Sequence, residues 1–182
     1  MGFKKQFHIG KIGESAIAEW LKHRGYNVLP VYEKEISEGK GPTLFTFDNK
    51  DIICPDIFVF NGETAFWVEA KHKSAFSWHR ITRQWVTGID LKHYYDYLEI
   101  ANKYSSWPVF LLFLHRDGTA KDTPVGMISP TGLYGEDILI LSGKENHRHE
   151  NHGKTGMVYW DIVSLNKYAD IDTMIVKKEN HA

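Results

Sequence analysis

Asp56, Glu69 and Lys71 are the residues whose types and spacing could carry chemistry in this chain of 182 residues. Carboxylate oxygens are hard donors suited to Mg2+ or Mn2+, and Mg2+ prefers to keep waters while sharing a few carboxylates with a substrate phosphate. A lysine two residues beyond a carboxylate stands on the same face of a strand. There it can orient or deprotonate a water, or stabilise charge on phosphorus. Together these are the parts for metal-assisted phosphodiester hydrolysis.

The elements that must position them follow from the pattern. Cys54 to Lys73 reads as two strands joined at Asn61-Gly62, a strong hairpin signal. On the first strand Ile57 and Val59 alternate with Asp56, Phe58 and Phe60. On the return strand, from about Thr64 to Lys71, Phe66, Val68 and Ala70 take one face and Trp67, Glu69 and Lys71 the other. The pairing sets Asp56, at the start of one strand, beside Glu69 at the end of the other. Asp48 and Asp51 compete as the strand carboxylate. Asp56 is preferred because it adjoins the clear strand and its register faces Glu69.

Ahead of the hairpin, residues from about Ile9 to Arg24 form a helix with an apolar stripe of Ile12, Gly13, Ala16, Ile17, Trp20 and Leu21, closed by Gly25. Glu14 lies at the edge of that stripe. Tyr26 to Tyr32 reads as a strand with Pro30 marking an edge or bend. A charged loop over 33–42 follows, in which Glu33 and Glu35 read as solvated, and then a short strand from Thr43 to Phe47. After the hairpin, Ser74 to Arg83 is a polar and aromatic connection, helical at its end. Asp90 to Tyr104 is a helix that Asp90 can cap. Trp107 to His115 has the apolar run of a strand covered on both faces. Strand, helix and buried strand make a right-handed βαβ crossover. Beyond Arg116, short strands are expected at Val125–Ile128, Ile138–Leu141 and Met157–Ile162. Between the last two lies a polar loop carrying His147, His149 and His152, whose spacing gives no defined metal geometry.

The hydrophobic fraction of 42%, with six Trp, supports one domain with a substantial core. The formal net charge of −1 lacks the global basic signature of a nucleic-acid binder, so any electrostatic case is local. Lys71 to Arg83 is that local case. It holds Lys71, Lys73, Arg80 and Arg83 with interleaved Phe76 and Trp78 and no acid, as phosphate contacts require. No apolar run reaches membrane-spanning length, the start carries no secretory pattern, and the single Cys54 fits a reducing cytoplasm. There is no Gly-rich phosphate loop.

Pro55-Asp56, twelve intervening residues, then Glu69-Ala70-Lys71 resembles the PD-(D/E)XK nuclease signature. The order of a helix, a three-stranded meander, a second helix and a parallel strand is similar to that superfamily's core. Gly13-Glu14-Ser-Ala-Ile-Ala-Glu-Trp-Leu, followed by Arg24-Gly25-Tyr26, resembles the start of archaeal Holliday-junction resolvases and related repair and phage nucleases. The resemblance spans roughly Ile9 to His115. It implies a single α/β domain over 1–182. Its core, about 9–115, would be restriction-endonuclease-like and αβββαβ, with a mixed central sheet flanked by helices; the short strands read beyond Arg116 would add a β-rich extension over 116–182. It also implies a divalent-metal-dependent nuclease acting on DNA in recombination, repair or phage DNA processing, with Mg2+ as cofactor and Mn2+ able to substitute. Asp56 and Glu69 would bind the metal, the Ala70 carbonyl would add a ligand, Lys71 would assist catalysis, and Glu14 would act directly or through water. Lys73, Trp78, Arg80 and Arg83 would meet nucleic acid, with Gln84 and His93 as further polar candidates. A junction resolvase would be a homodimer placing two sites on two strands. The alternatives are a non-catalytic nucleic-acid-binding module on the same fold, and a structural domain whose carboxylates lie well apart.

Overall fold

The computed structural model describes residues 3–31, 42–120, 122–152 and 155–174, with 3–12 described by backbone alone. Glu33 and Glu35 lie outside the described residues. In chain order the elements are α1 (Phe3–Lys22), β1 (Asn27–Pro30), β2 (Thr43–Phe45), β3 (Asp51–Ile53), β4 (Ile57–Asn61), β5 (Thr64–Lys73), β6 (Ser77–His79), β7 (Gln84–Asp90), α2 (Leu91–Lys103), β8 (Val109–His115), β9 (Gly132–Asp137), α3 (Ile138–Ser142), β10 (His147–His149), β11 (Met157–Asp161), β12 (Asn166–Ala169) and α4 (Ile171–Met174).

A six-stranded mixed sheet runs in the order β1-β4-β5-β8-β9-β12. Only β5 and β8 are parallel, and α2 is the helix of their crossover. With α1 in front, this is the expected αβββαβ order, a mixed central sheet flanked by helices. Alternation along the strands splits the core in two. Ile17 and Leu21 of α1 pack on Val59, Val68, Ala70, Leu112 and Leu133 on one face. On the other, Tyr94, Tyr97 and Ile100 of α2 pack with Leu111, Phe113, Val158 and Trp160. Strand β8 contributes to both, as its continuous apolar run requires.

A second, antiparallel sheet, β10-β11-β7-β6, lays one face on the α2 side of the core, and β2 pairs with β3 as a separate hairpin. Several expectations are corrected. Ser74–Arg83 is not helical at its end but forms β6 and a tight turn, paired Ser77↔Val86 to His79↔Gln84. Val125–Ile128 is not a strand; Val125 and Ile128 are exposed in turn and irregular chain. Ile138–Leu141 is helical, because Ile138 and Leu141 reach the core together at a spacing of three, while Leu139 and Ile140 stay out. Asp137 caps it by accepting from the Leu139 N–H at 2.7 Å. Asp90 occupies the N-cap position of α2, yet its side chain makes no capping hydrogen bond.

Candidate active site

The hairpin forms as its pattern requires, with Ile57↔Val68 and Asn61↔Thr64 in register around the two-residue turn. In such a hairpin Asn61 and Thr64 exchange both ladder hydrogen bonds, and every second pair does the same, through 57↔68. Continuing by two sets Pro55 opposite Ala70. Proline has no N–H to donate, so the Ala70 carbonyl receives no ladder bond from that side. The Ala70 N–H instead donates to Asp56 Oδ2 at 3.1 Å. Pro55 thus ends the strand pairing where Asp56 begins to serve it with a side chain.

Glu69 stands opposite Asp56 and is 1% exposed. One of its oxygens is ion-paired with the Lys71 ammonium. The other, Oε2, is buried and has no hydrogen-bond partner among the described residues. A buried carboxylate oxygen without a donor is costly, and a cation is the partner that suits it. Burial, and then the Glu69 charge, hold the Asp56 carboxyl well above the usual carboxylate range; the Glu14 charge adds to the rise and Lys71 opposes it. The Glu69 and Asp56 charges raise the Lys71 ammonium above its ordinary value, against the opposite pull of burial, so it keeps its proton.

Glu14 approaches from the other side of the sheet. Residue 13 must be glycine there, because a Cβ would lie 2.3 Å from His72 Cβ on β5. That close backbone approach brings Glu14 to a cleft of about 350 Å³ that Asp56, Ile57 and Pro30 also line.

The remaining expected residues divide. Lys73 continues the Glu69–Lys71 face. Burial, then the Lys71 charge, push it down to about 8. His93 of α2 comes to the same place and is held below its ordinary value by burial and Lys71. Trp78 packs edge-on against Trp85 at 5.0 Å on the core side of β6. Arg80 and Arg83 are exposed in the β6–β7 turn, Arg83 in a left-handed conformation with φ of 53°. Gln84 lies on β7 and accepts from Asn146 Nδ2 at 2.8 Å; it is not on the helix.

Two residues with no expected role reach the site. Tyr97 is fully buried, and burial, then the Glu69 and Asp56 charges, raise its hydroxyl well above the ordinary value; the hydroxyl also comes near enough to the Glu69 carboxylate to interact with it, though without a hydrogen bond of ordinary geometry to Oε2. The Asp90 charge acts on Lys71, Lys73 and His93 together. The signal was present, since Asp90, His93 and Tyr97 recur at helical spacing on one side of α2.

The donor set is therefore hard oxygen: the Asp56 carboxyl, Glu69 Oε2 and the Ala70 carbonyl, with Glu14 nearby. It fits Mg2+ or Mn2+. Among the described residues, no three His, Cys, Asp or Glu side chains gather as a metal-holding group.

No family model matches the chain, and no curated protein does. Solved structures are similar to it, two of which are nucleases. One is Hjc, a Holliday junction resolvase of the archaeal hyperthermophile Archaeoglobus fulgidus, at 12% identity and a TM-score of 0.48 over 85% of this chain and 90% of that one. The other is a nuclease from a fusselovirus, at 12% identity and a TM-score of 0.39 over 90% of this chain and 84% of that one. Neither likeness is close enough to carry an argument about residues or reaction, which rests on the geometry above.

Proposed function

We propose that the protein is a divalent-metal-dependent nuclease that hydrolyses phosphodiester bonds in DNA. The observation that carries this reading is the buried Glu69 carboxylate, with one oxygen on Lys71 and the other without a donor, opposite Asp56. Asp56, Glu69 and the Ala70 carbonyl would hold Mg2+, with Mn2+ as substitute, and Glu14 would act directly or through water. When bound, the ion supplies positive charge for a phosphoryl group and acidifies water.

The chain's own groups divide the remaining work. Lys71 is held protonated and serves as fixed positive charge beside the phosphate, not as a base. Lys73, at about 8, is the amine beside it that exchanges a proton near neutral pH. Ala70 orients Asp56 through its N–H. Gly13 keeps α1 close enough for Glu14 to face the cleft.

A panel of duplex, single-stranded, flap and four-way DNA, incubated with Mg2+ or Mn2+, tests the reading. Cleavage of at least one substrate is expected, abolished by EDTA and in Asp56→Ala and Lys71→Ala. No cleavage of any, or full activity in both variants, would refute it. One observation favours a second reading, a nucleic-acid-binding module without turnover: only two acidic side chains, not three, meet closely among the described residues. Salt-sensitive binding of the same DNAs with no cleavage under any metal would select it.

A further inference from the structure

The outward face of the second sheet carries a pile of flat rings that the hydrolytic reading does not use. His79 on β6 stacks on His147 of β10, with ring centroids 3.9 Å apart and planes within 9°. His147 stacks in turn on Tyr159 of β11 at 4.5 Å and 7°. Tyr159 lies near-parallel to His152 at 6.1 Å, and its hydroxyl shares a hydrogen bond with His152 Nδ1. β6 and β10 are the two outer strands of this sheet, so His79 and His147 meet only because the sheet curls and their rings close across its hollow side. Gly88, paired with Tyr159 across β7 and β11, makes room: a Cβ there would sit 2.8 Å from the tyrosine ring and 2.1 Å from the Val158 carbonyl oxygen.

These rings are not core. Trp85, Ile89, Val158 and Trp160 fill the other face of the same strands, whereas His79, His147 and Tyr159 are half-buried and His152 is exposed. Two residues beyond Gly88 on the same outward face comes Asp90, whose charge acts on the Tyr159 phenol and also on Lys71 and Lys73. Asp90 ends this face where β7 passes into α2, the helix that carries His93 and Tyr97. At its other rim, the β6–β7 turn holds out Arg80 and Arg83, neither ion-paired among the described residues, around an Ile81 that is 86% exposed.

We propose that this face binds unpaired nucleotides of the substrate, flanking the bond cut at Glu69 and Lys71. A base would stack on the outer face of His79, the end of the His79–His147–Tyr159 pile, and the phosphates would run past Arg80 and Arg83. Every base has a π-face, so stacking on such a platform is tolerant of sequence, and cations beside it track the backbone. A base paired inside a duplex has both faces covered and gains nothing from the rings. The inference rests on the nuclease reading for the position of the cut, but its binding step needs no cleavage.

The test is fluorescence anisotropy in EDTA with the full chain. Three labelled probes of equal length are compared: a short oligothymidylate, the same backbone with abasic sites, and a blunt duplex. Binding tightest to oligothymidylate is expected. Loss of one stacked base weakens binding roughly tenfold or more, so His79→Leu, which removes the open end of the pile, and His147→Leu, which removes its support, should each lose about that much on oligothymidylate and little on duplex. Tyr159→Phe keeps the ring and should bind as the parent does. Equal binding of the abasic and intact strands by the parent protein, which requires no variant to fold, would overturn the proposal. So would preference for duplex, unchanged affinity in both leucine variants, or no binding. Because no metal is present, absence of nuclease activity in a separate Mg2+ assay would leave this result standing.

Discussion

Lys71→Met tests the site most directly, through stability measured without metal. The substitution keeps the apolar stem and removes the ammonium that ion-pairs with a carboxylate that is 1% exposed and whose second oxygen has no donor among the described residues. Breaking a buried pair from one side costs about 3–5 kcal/mol. The Lys71 side chain is 27% exposed, so water can reach part of the space it leaves, which sets the expected loss at the lower end of that range, about 3 kcal/mol at pH 7. The double variant Glu69→Gln/Lys71→Met should recover at least about 1.5 kcal/mol relative to the sum of the single losses. Urea denaturation in EDTA at pH 7, followed by tryptophan fluorescence, reads both. A loss below about 1 kcal/mol, or additive single and double variants, would refute the buried pair as described.

Three further outcomes are expected. His115 is fully buried, stacked on Phe76 at 3.6 Å, and pushed down to about 3 by burial first and the Lys73 charge second. Its unfolded-state value is higher, so the unfolded chain takes up the proton and stability is lost as pH falls below about 6.5. The loss reaches about 2 kcal/mol at pH 5, and His115→Phe should remove that slope from urea midpoints. Gly13→Ala forces α1 away from His72 and should cost about 1–3 kcal/mol in stability and reduce any Mg2+-dependent cleavage through the displaced Glu14; unchanged melting would contradict the close approach. The raised Asp56 carboxyl must give up its proton to hold a cation, so thermal stabilisation by Mg2+ should grow as pH rises and vanish in Asp56→Asn.

The hairpin was legible because its strands alternate cleanly and its turn is Asn-Gly; the register that sets Asp56 against Glu69 follows from turn length alone. The α1 stripe and the doubly covered β8 were legible for the same reason of period. What failed lay where glycine or polar residues hide the period. Strand β9 reads Gly-Leu-Tyr-Gly-Glu-Asp, and Gly135 is required because a Cβ would meet the Leu111 carbonyl oxygen at 2.3 Å. Strand β10 is His-Arg-His inside a polar stretch, and it is a strand only because β11 is there to pair with it. Helix α3 is four apolar residues and a serine, too short for its period to tell helix from strand.

Asp90 shows why the second sheet could not be anticipated from local pattern. As a residue before an apolar-periodic helix it has every property of a cap, and it does sit at the cap position. Capping would turn its side chain back toward the first turn of α2. Instead it remains the last residue of β7, paired with Met157, a partner 67 positions along the chain. That pairing holds its side chain on the outward face of the second sheet, where its charge acts on both Lys71 and Tyr159. A local rule and a distant strand compete for one carboxylate, and the distant strand wins because five residues of β11 fix the register of β7 while a cap contributes about 1 kcal/mol.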